Sequence, residues 1–329
     1  MSVVTRRSFV ISGGAALSLA ALPSRLRATA AGTHRLKSPF RVAVITDEIS
    51  QDFEHACSVA ALEFGMQWVE LRSMWDKTLH TLTVTETEEA RRILAKYGLR
   101  VTDIGSPLFK ADWPDAPLSK ARANRVKERE SAETTFKEQD ELLERSIELA
   151  QVFQTDRIRG FDFWRLDDPA PYRAAINTKL AEAAEKMGKH GLIFVLENEV
   201  ACNTGTGAEA AKVLAAVPSQ NLMLNWDPGN AAALGETPFP NGWDLLPKNR
   251  IGHCHCKDTV LKLGGGFQWA PMGKGIIDWV GQFRALKQAG YRLTVSLETH
   301  WRGGSSREDS SRQSWAGMKA VLETAGALA

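Results

Sequence analysis

The feature that most constrains the fold is an alternation of short apolar runs with longer amphipathic segments, repeated eight times from Arg41 onward. The short runs are rich in residues that favour strands, and the longer segments repeat their apolar residues with a helical period. The predicted strands are Arg41–Ile49, Trp68–Ser73, Arg100–Ser106, Arg157–Phe163, Leu192–Glu199, Leu222–Asp227, Ile251–Asp258 and Arg292–His300. The clearest predicted helices between and after them are Glu86–Tyr97, Glu138–Phe153, Ala174–Lys189, Ala208–Val217, Asp278–Ala289 and Ser311–Leu322.

Eight βα units without a break in composition predict an α/β fold, a single (β/α)₈ TIM barrel over residues 41–329. A doubly wound open sheet is the alternative, but no glycine-rich phosphate loop follows the first strand, which ends in Thr46-Asp47-Glu48-Ile49. The polar stretch Lys110–Arg129 predicts a long loop that covers the site. Several helices end at a glycine, as expected for a C-terminal cap: Gly65, Gly98, Gly191 and Gly290.

Residues 1–30 have the order of an export signal and are excluded from the fold. Arg6 and Arg7 precede an apolar run, Ile11–Leu22, and Ala28-Thr29-Ala30 has the small-residue pattern of a cleavage site. The paired arginines resemble a twin-arginine signal, which predicts export to the periplasm. A retained membrane anchor is the alternative, but the apolar run is shorter than the ~20 residues that a bilayer requires. We therefore expect cleavage, no stable membrane anchor afterwards, and a short lead-in over residues 31–40.

Loss of residues 1–30, which carry four arginines and no acidic residue, changes the formal net charge from +2 to −2. No basic surplus then remains to attract a phosphate backbone, so no nucleic-acid partner is expected. The cysteines are Cys57, Cys202, Cys254 and Cys256. Two disulfides are one interpretation, but Cys254 and Cys256 share one strand face, and a protein folded before export meets a reducing cytoplasm. Free buried thiols are therefore predicted.

Polar residues at the ends of the last four predicted strands break the apolar pattern. Barrel enzymes place their chemistry at this end of the strands. Glu197 follows apolar residues on its strand face, where a carboxylate is costly unless it meets a cation or a metal. The other strand ends supply Asp227, His253 and His255 on one face, and Glu298. Because strand ends converge in a barrel, these groups predict a metal site.

Three carboxylates and one imidazole suit Mn²⁺, Mg²⁺ or Co²⁺ better than a structural Zn²⁺. We expect one divalent ion per chain, Mn²⁺ first, with Mg²⁺, Co²⁺ and Zn²⁺ as alternatives. Taken one at a time, each carboxylate also fits a helix cap or an ion pair, and His253 also fits an ordinary core histidine. The sequence leaves these alternatives open.

Five short segments mark the second half of the chain: Leu196-Glu197-Asn198, Asp227-Pro228-Gly229-Asn230, His253-Cys254-His255-Cys256-Lys257-Asp258, Gly273-Lys274-Gly275-Ile276-Ile277-Asp278-Trp279 and Leu297-Glu298. Together they resemble the sugar phosphate isomerase/epimerase group of the xylose-isomerase-like barrels, which includes the ketose 3-epimerases. The resemblance extends from Arg41 to about Leu322 and is most specific from the fifth strand onward. It implies that the metal ligands are Glu197, Asp227, His255 and Glu298.

The resemblance also implies a small-molecule carbohydrate substrate and a homodimer. Two positions depart from the pattern of the family. Asn230 stands where ketose epimerases often have a substrate-binding histidine, and Lys274 stands where a glutamate is common. Both departures concern the substrate rather than the metal.

The predicted activity is a metal-dependent sugar isomerase or epimerase that removes the proton next to a carbonyl and passes through an enediolate. In this hypothesis Glu197 and Glu298 lie on opposite sides of the sugar and act as base and acid while also binding the metal. The candidate substrate-binding residues are His253, Lys257, Asn230, Glu199, Arg159 and Trp269.

Three other functions remain as alternatives. A lyase or hydrolase of 3-keto-glycosides uses the same proton abstraction, followed by loss of the leaving group. A DNA-repair endonuclease on this barrel requires a histidine-rich zinc cluster, and too few of the seven histidines lie near strand ends. A catalytically inactive barrel that binds sugar in the periplasm is the third, against which the intact ligand set argues.

Overall fold

The computed structural model describes residues 35–117, 119–120 and 134–329. The predicted signal peptide, the first part of the lead-in and part of the predicted loop Lys110–Arg129 lie outside these ranges. In the part of the chain that is described, no helix is both long enough and apolar enough to cross a membrane.

Eight parallel strands form the central sheet of the described chain. They are β1 Arg41–Val44, β2 Trp68–Leu71, β3 Arg100–Leu108, β4 Arg157–Gly160, β5 Ile193–Glu197, β6 Leu222–Trp226, β7 Ile251–Cys256 and β8 Thr294–Leu297. Neighbours in sequence are neighbours in the sheet, and β1 pairs with β8. A parallel bridge between Ile45 and Glu70 links β1 to β2 and completes the ring. The predicted single barrel is therefore confirmed, and the open doubly wound sheet is excluded.

A helix follows each strand and covers the outside of the ring. The helices are α1 Phe53–Ser58, α2 Val84–Tyr97, α3 Gln139–Val152, α4 Arg173–Lys189, α5 Gly207–Ala216, α6 Pro228–Ala233, α7 Trp279–Gln288 and α8 Arg307–Thr324. A π-helical turn, Val59–Glu63, extends α1, and a short helix, Trp243–Leu245, follows α6. The four predicted capping glycines all have positive φ angles, between 63° and 74°, which a glycine adopts without steric cost.

The strands separate an apolar outer core from a polar interior. On β7, Cys254 and Cys256 belong to the apolar core between sheet and helices, whereas His253 and His255 contact acidic groups of other strands inside the ring. All four cysteines of the chain lie within the described ranges, and each is buried with a free thiol, as predicted.

Several strand bounds and two hairpins differ from the sequence expectations. The fourth strand ends at Gly160 rather than Phe163, and the eighth spans Thr294–Leu297 rather than Arg292–His300. The first strand ends at Val44 rather than Ile49, because Thr46–Glu48 forms a 3₁₀ turn. Asp47 and Glu48 in this turn form ion pairs with Arg72 of the neighbouring chain segment. Two short hairpins were also not predicted: Ser73–Met74 with Lys77–Thr78, and Asp258–Leu261 with Phe267–Ala270.

Candidate functional site

The four predicted metal ligands meet at the carboxyl end of the barrel. Glu197 ends β5, Asp227 follows β6, His255 lies near the end of β7, and Glu298 follows β8. Each offers one ligand atom, and these atoms all lie within 4.8 Å of one another. His255 Nδ1 is 3.4 Å from Glu197 Oε1, 3.9 Å from Asp227 Oδ2 and 3.3 Å from Glu298 Oε2.

Local structure explains why Asp227 presents one oxygen to this point. Asp227 is the N-cap of α6, and its Oδ1 accepts a hydrogen bond from the backbone N–H of Asn230 at 2.9 Å. The backbone N–H of Asp227 donates to Asn198 Oδ1 at 2.7 Å, which fixes the turn after β6. Capping therefore occupies one carboxylate oxygen and leaves Oδ2 facing the other ligands.

The donor set fits a divalent cation. All four side chains are buried, and Glu197 Oε2 and His255 Nδ1 have no hydrogen-bond partner among the described residues. Burying several carboxylates together is unfavourable unless cations neutralise them. Oxygen ligands with one imidazole nitrogen suit Mn²⁺, Mg²⁺ or Co²⁺, and Zn²⁺ also accepts such a set.

Around Asp227 and His255, the titration behaviour reflects an excess of negative charge. Burial alone would raise the pKa of Glu197, but His255 and Arg159 lower it to about 2. Burial and the neighbouring carboxylates raise the pKa of Asp227 to about 6, although Lys257 opposes that shift. Burial would lower the pKa of His255, yet the surrounding carboxylates hold it well above its usual value. A cation at this point would relieve that excess.

A second acidic group lies behind His255. Glu70, in the middle of β2, places its two oxygens 3.0 and 3.1 Å from His255 Nε2. Nδ1 of His255 is therefore the nitrogen that faces the other three ligands. Pairs of this kind, in which a carboxylate holds the outer nitrogen of a histidine, fix the ring orientation and tautomer of metal-binding histidines.

His253 and Asp103 lie deeper in the barrel, on the other side of Glu70 from the ligand cluster. His253 Nε2 is 3.3 Å from Glu70 Oε2, and His253 Nδ1 is 3.7 Å from Asp103 Oδ1. Burial and the charge of Glu70 raise the pKa of Asp103 to about 6. His253 is fully buried one layer below the cluster. The structure therefore surrounds this candidate substrate-binding residue with Glu70, Asp103 and His255.

Lys257 lies among the predicted metal ligands. Its Nζ is 2.6 Å from Glu298 Oε2 and 2.8 Å from Asp227 Oδ2. Burial would lower the pKa of Lys257, but these two carboxylates raise it well above its usual value. The ring of Trp269, another predicted substrate-binding residue, lies 4.9 Å from Nζ on the side of the barrel mouth.

The remaining candidates contact the cluster from different directions. The side-chain amide of Asn230 donates to Asp227 Oδ2 at 3.0 Å and to Glu197 Oε1 at 3.3 Å. Arg159 Nη1 is 3.4 Å from Glu197 Oε2. Glu199 lies farther out, with one carboxylate oxygen 4.0 Å from Lys110 Nζ. Asn230 and Arg159 thus orient ligands directly, whereas Glu199 lies at the rim.

Several charged residues at the mouth were missed by the sequence analysis. Arg72 donates to Asp47, to Glu48 and to Glu298, the last at 3.2 Å. His300 Nδ1 lies 3.3 Å from Glu48 Oε1 and 3.5 Å from Glu298 Oε1. The signal that identified Glu197, an acid inside an apolar strand, is also present at Glu70 between Val69 and Leu71.

Comparisons with known proteins agree with the barrel fold. The model of the xylose isomerase-like TIM barrel family matches residues 59–321. A probable 3-DHS dehydratase from Bacillus anthracis has a TM-score of 0.64 at 19% identity, covering 86% of this chain and 99% of that chain. D-allulose 3-epimerase from Methylomonas sp., in complex with D-allulose, has a TM-score of 0.63 at 18% identity, covering 88% and 99%.

A third solved structure contains a metal. A xylose isomerase-like barrel protein from Mycobacterium smegmatis, in complex with magnesium, has a TM-score of 0.59 at 17% identity, covering 88% of this chain and 98% of that chain. A sequence search of curated proteins finds no match. At these identities the solved structures establish a shared fold.

Proposed function

Since the chain belongs to the xylose isomerase-like TIM barrel family, we propose that it is a divalent-metal-dependent isomerase or epimerase of a sugar or keto-sugar. The observation that carries the proposal is the meeting of Glu197, Asp227, His255 and Glu298 at one buried point. A solved structure with the same fold is a ketose 3-epimerase in complex with its sugar. That likeness supports the substrate class.

These four residues would hold the metal ion. When bound, the ion would supply positive charge beside the carbonyl and hydroxyl oxygens of a sugar, which stabilises an enediolate. We propose Mn²⁺ as the resident ion, with Mg²⁺, Co²⁺ and Zn²⁺ as alternatives. The magnesium in the mycobacterial relative supports a divalent ion without selecting one.

Glu197 and Glu298 are the proposed base and acid. They extend from β5 and β8, which lie on different sides of the barrel mouth. The lowered pKa of each carboxyl, against burial that would raise it, keeps both ionised at neutral pH; His255 lowers that of Glu197, and His300 and Lys257 lower that of Glu298. Glu197 Oε2, which has no hydrogen-bond partner among the described groups, is the proposed proton acceptor.

The fate of the proton decides the reaction. Removal of the proton from the carbon next to the carbonyl leaves the electron pair in the enediolate. Return of a proton to the same carbon from the opposite face epimerises the sugar. Return to the neighbouring carbon isomerises it. Two carboxylates on different sides of the substrate suit the first outcome: Glu197 would accept the proton from one face and release it to solvent, and Glu298 would take a proton from solvent and donate it to the other face.

The rim supplies the proposed sugar contacts. Trp269, Glu199 and His300 are partly exposed and lie within one side-chain layer of the ligands. An aromatic ring offers an apolar face to the carbon-bound hydrogens of a sugar. Polar groups beside it accept or donate hydrogen bonds to hydroxyl groups. We further propose that the protein acts in the periplasm after cleavage of residues 1–30, and that it forms a homodimer.

A second function uses the same site. One solved structure with this fold is a probable dehydratase, and a dehydratase eliminates water. On a 3-keto-glycoside, removal of the proton next to the carbonyl by Glu197 and departure of the group at the neighbouring carbon would give an unsaturated ketone. Release of an aglycone, instead of an epimeric sugar, would identify this reaction.

Metal analysis of the mature protein, residues 31 onward, tests the proposal first. We expect about one Mn, Mg, Co or Zn per chain, lost in Glu197→Gln and in His255→Ala. Glu199→Gln is the matched control, since it removes a carboxylate from the same strand end outside the ligand cluster. Deuterium uptake by ketoses and 3-keto-glycosides in heavy water, followed by NMR, then identifies the substrate. Absence of metal after incubation with excess Mn²⁺ would refute the proposal and favour a sugar-binding protein.

A further inference from the structure

The ammonium group of Lys257 contacts the same two oxygen atoms that face the centre of the ligand cluster. Asp227 Oδ2 and Glu298 Oε2 are the oxygens by which these two carboxylates approach His255 Nδ1, at 3.9 and 3.3 Å. Lys257 Nζ lies 2.8 and 2.6 Å from these two oxygens. A metal ion held by the four ligands would bind the same two oxygens. The lysine and the ion therefore compete for two of the four ligands.

The residues around Lys257 leave space for its side chain to extend into the ligand cluster. Lys257 is 1% exposed, so its ammonium is far from water. A Cβ atom at Gly229, in the first turn of α6, would lie only 2.5 Å from Lys257 Cγ. Any side chain at that position would displace the stem of the lysine. The glycine leaves the space through which Lys257 reaches Asp227 and Glu298.

The cations around the cluster contact different carboxylate oxygens. Arg159 contacts Glu197 Oε2 and Arg72 contacts Glu298 Oε1, whereas Lys257 contacts the oxygens of Asp227 and Glu298 that face His255. An ion at this point would lie close to the ammonium group, and because like charges repel, it would drive Lys257 away from both oxygens. The face of Trp269, 4.9 Å from Nζ, is a position in which a displaced ammonium group stays favourably placed.

We propose that Lys257 is a built-in competitor of the metal ion. It neutralises Asp227 and Glu298 when no ion is bound, and it gives up both oxygens when the ion binds. This inference rests on the proposed metal site. It assigns Lys257 a positioning role that lowers metal affinity and stabilises the metal-free protein, in addition to any contact with substrate.

Calorimetric titration with Mn²⁺ and thermal unfolding of the metal-free mature protein test this role. Lys257→Met removes a positive charge that repels the ion and should therefore tighten Mn²⁺ binding about tenfold or more. Loss of a residue that only orients the ligands would weaken binding instead. The same substitution should lower the melting temperature of the metal-free protein, since two buried carboxylates lose their partner. The two effects have opposite directions, which a general loss of structure would not produce.

Two further variants complete the test. Lys248→Met is the matched control: Lys248 precedes β7 at the opposite end of the barrel and donates to backbone carbonyl groups, so it should not change Mn²⁺ affinity. Lys257→Gln keeps an amide donor and replaces the methionine variant if that variant does not fold. Unchanged or weaker Mn²⁺ binding in the Lys257 variants would overturn the inference alone. Absence of Mn²⁺ binding by the wild-type protein would overturn the proposed function itself.

Discussion

Replacement of Glu70 by glutamine is the sharpest test of how the barrel prepares its metal site. Glu70 lies on β2, opposite the four ligands, and is fully buried. Both of its oxygens lie within 3.1 Å of His255 Nε2. Glutamine keeps the shape and one acceptor oxygen but removes the negative charge. The substitution therefore changes the electrostatic partner of His255 without opening a cavity.

The expected magnitude follows from the change in hydrogen-bond type. A hydrogen bond to a charged group contributes roughly 1.5–3 kcal/mol, and one between neutral groups roughly 0.5–1.5 kcal/mol. The difference of about 1–1.5 kcal/mol corresponds to about a tenfold loss of metal affinity. Losses of about 10- to 100-fold are usual when the outer partner of a metal-binding histidine is changed. We expect Glu70→Gln to weaken Mn²⁺ binding by about tenfold or more.

Calorimetric titration of the mature protein measures this change, and circular dichroism checks that the variant is folded. Glu199→Gln again serves as the control, because its carboxylate lies at the rim beside Lys110. A Glu70→Gln protein that is folded and binds Mn²⁺ within twofold of the wild type would refute the argument. His255 would then be oriented by its other neighbours alone.

Three other outcomes follow from the structure. Gly252→Ala should lower the free energy of unfolding, measured in urea, by about 1–3 kcal/mol, because the new Cβ would lie 2.8 Å from Met223 Cβ and 2.9 Å from Val195 Cγ1. A decrease of less than about 0.5 kcal/mol would contradict this prediction. Burial would raise the pKa of Glu48, but the Arg72 guanidinium holds it well below its usual value. The ionised carboxylate therefore stabilises the fold above about pH 4.3, and this contribution is lost as the pH falls. In Glu48→Gln the urea midpoint should fall less steeply than in the wild type as the pH is lowered from about 5 to 3. The same pH dependence of the urea midpoint in both proteins would argue against this prediction. Chelation of the proposed ion, present at about 100 times its Kd, should remove about 2.7 kcal/mol and lower the melting temperature by about 5 °C in calorimetry, whereas an unchanged melting temperature would count against the site.

The candidate metal ligands could be predicted from the sequence because each belongs to a local pattern. Glu197 interrupts an apolar strand, and Asp227 begins a helix directly after a strand. His255 and His253 alternate with cysteines, which places both histidines on one strand face. Such patterns report the face and the end of a strand, and in a barrel all strands end at the same mouth. Convergence could therefore be predicted without coordinates.

The contacts of Glu70 and Lys257 could not be predicted in this way. Glu70 is 185 positions away from His255, and no local pattern tells which strand of the ring faces which across the interior. Lys257 was predicted as a substrate contact, but only the packing of its stem beside Gly229 shows that it reaches Asp227 and Glu298. The position of a long side chain depends on neighbours from several strands at once.

The sequence by itself determined the eight βα units and the strand ends at which the candidate ligands lie, because these depend on periodicities of two and 3.6 residues within single segments. Only the tertiary structure decided how β1 meets β2, which nitrogen of His255 faces the other ligands, and which cation lies among the carboxylates. Those outcomes depend on distances of a few ångströms between groups that are far apart in the chain. The folding of the ring, which brings such groups together, sets those distances.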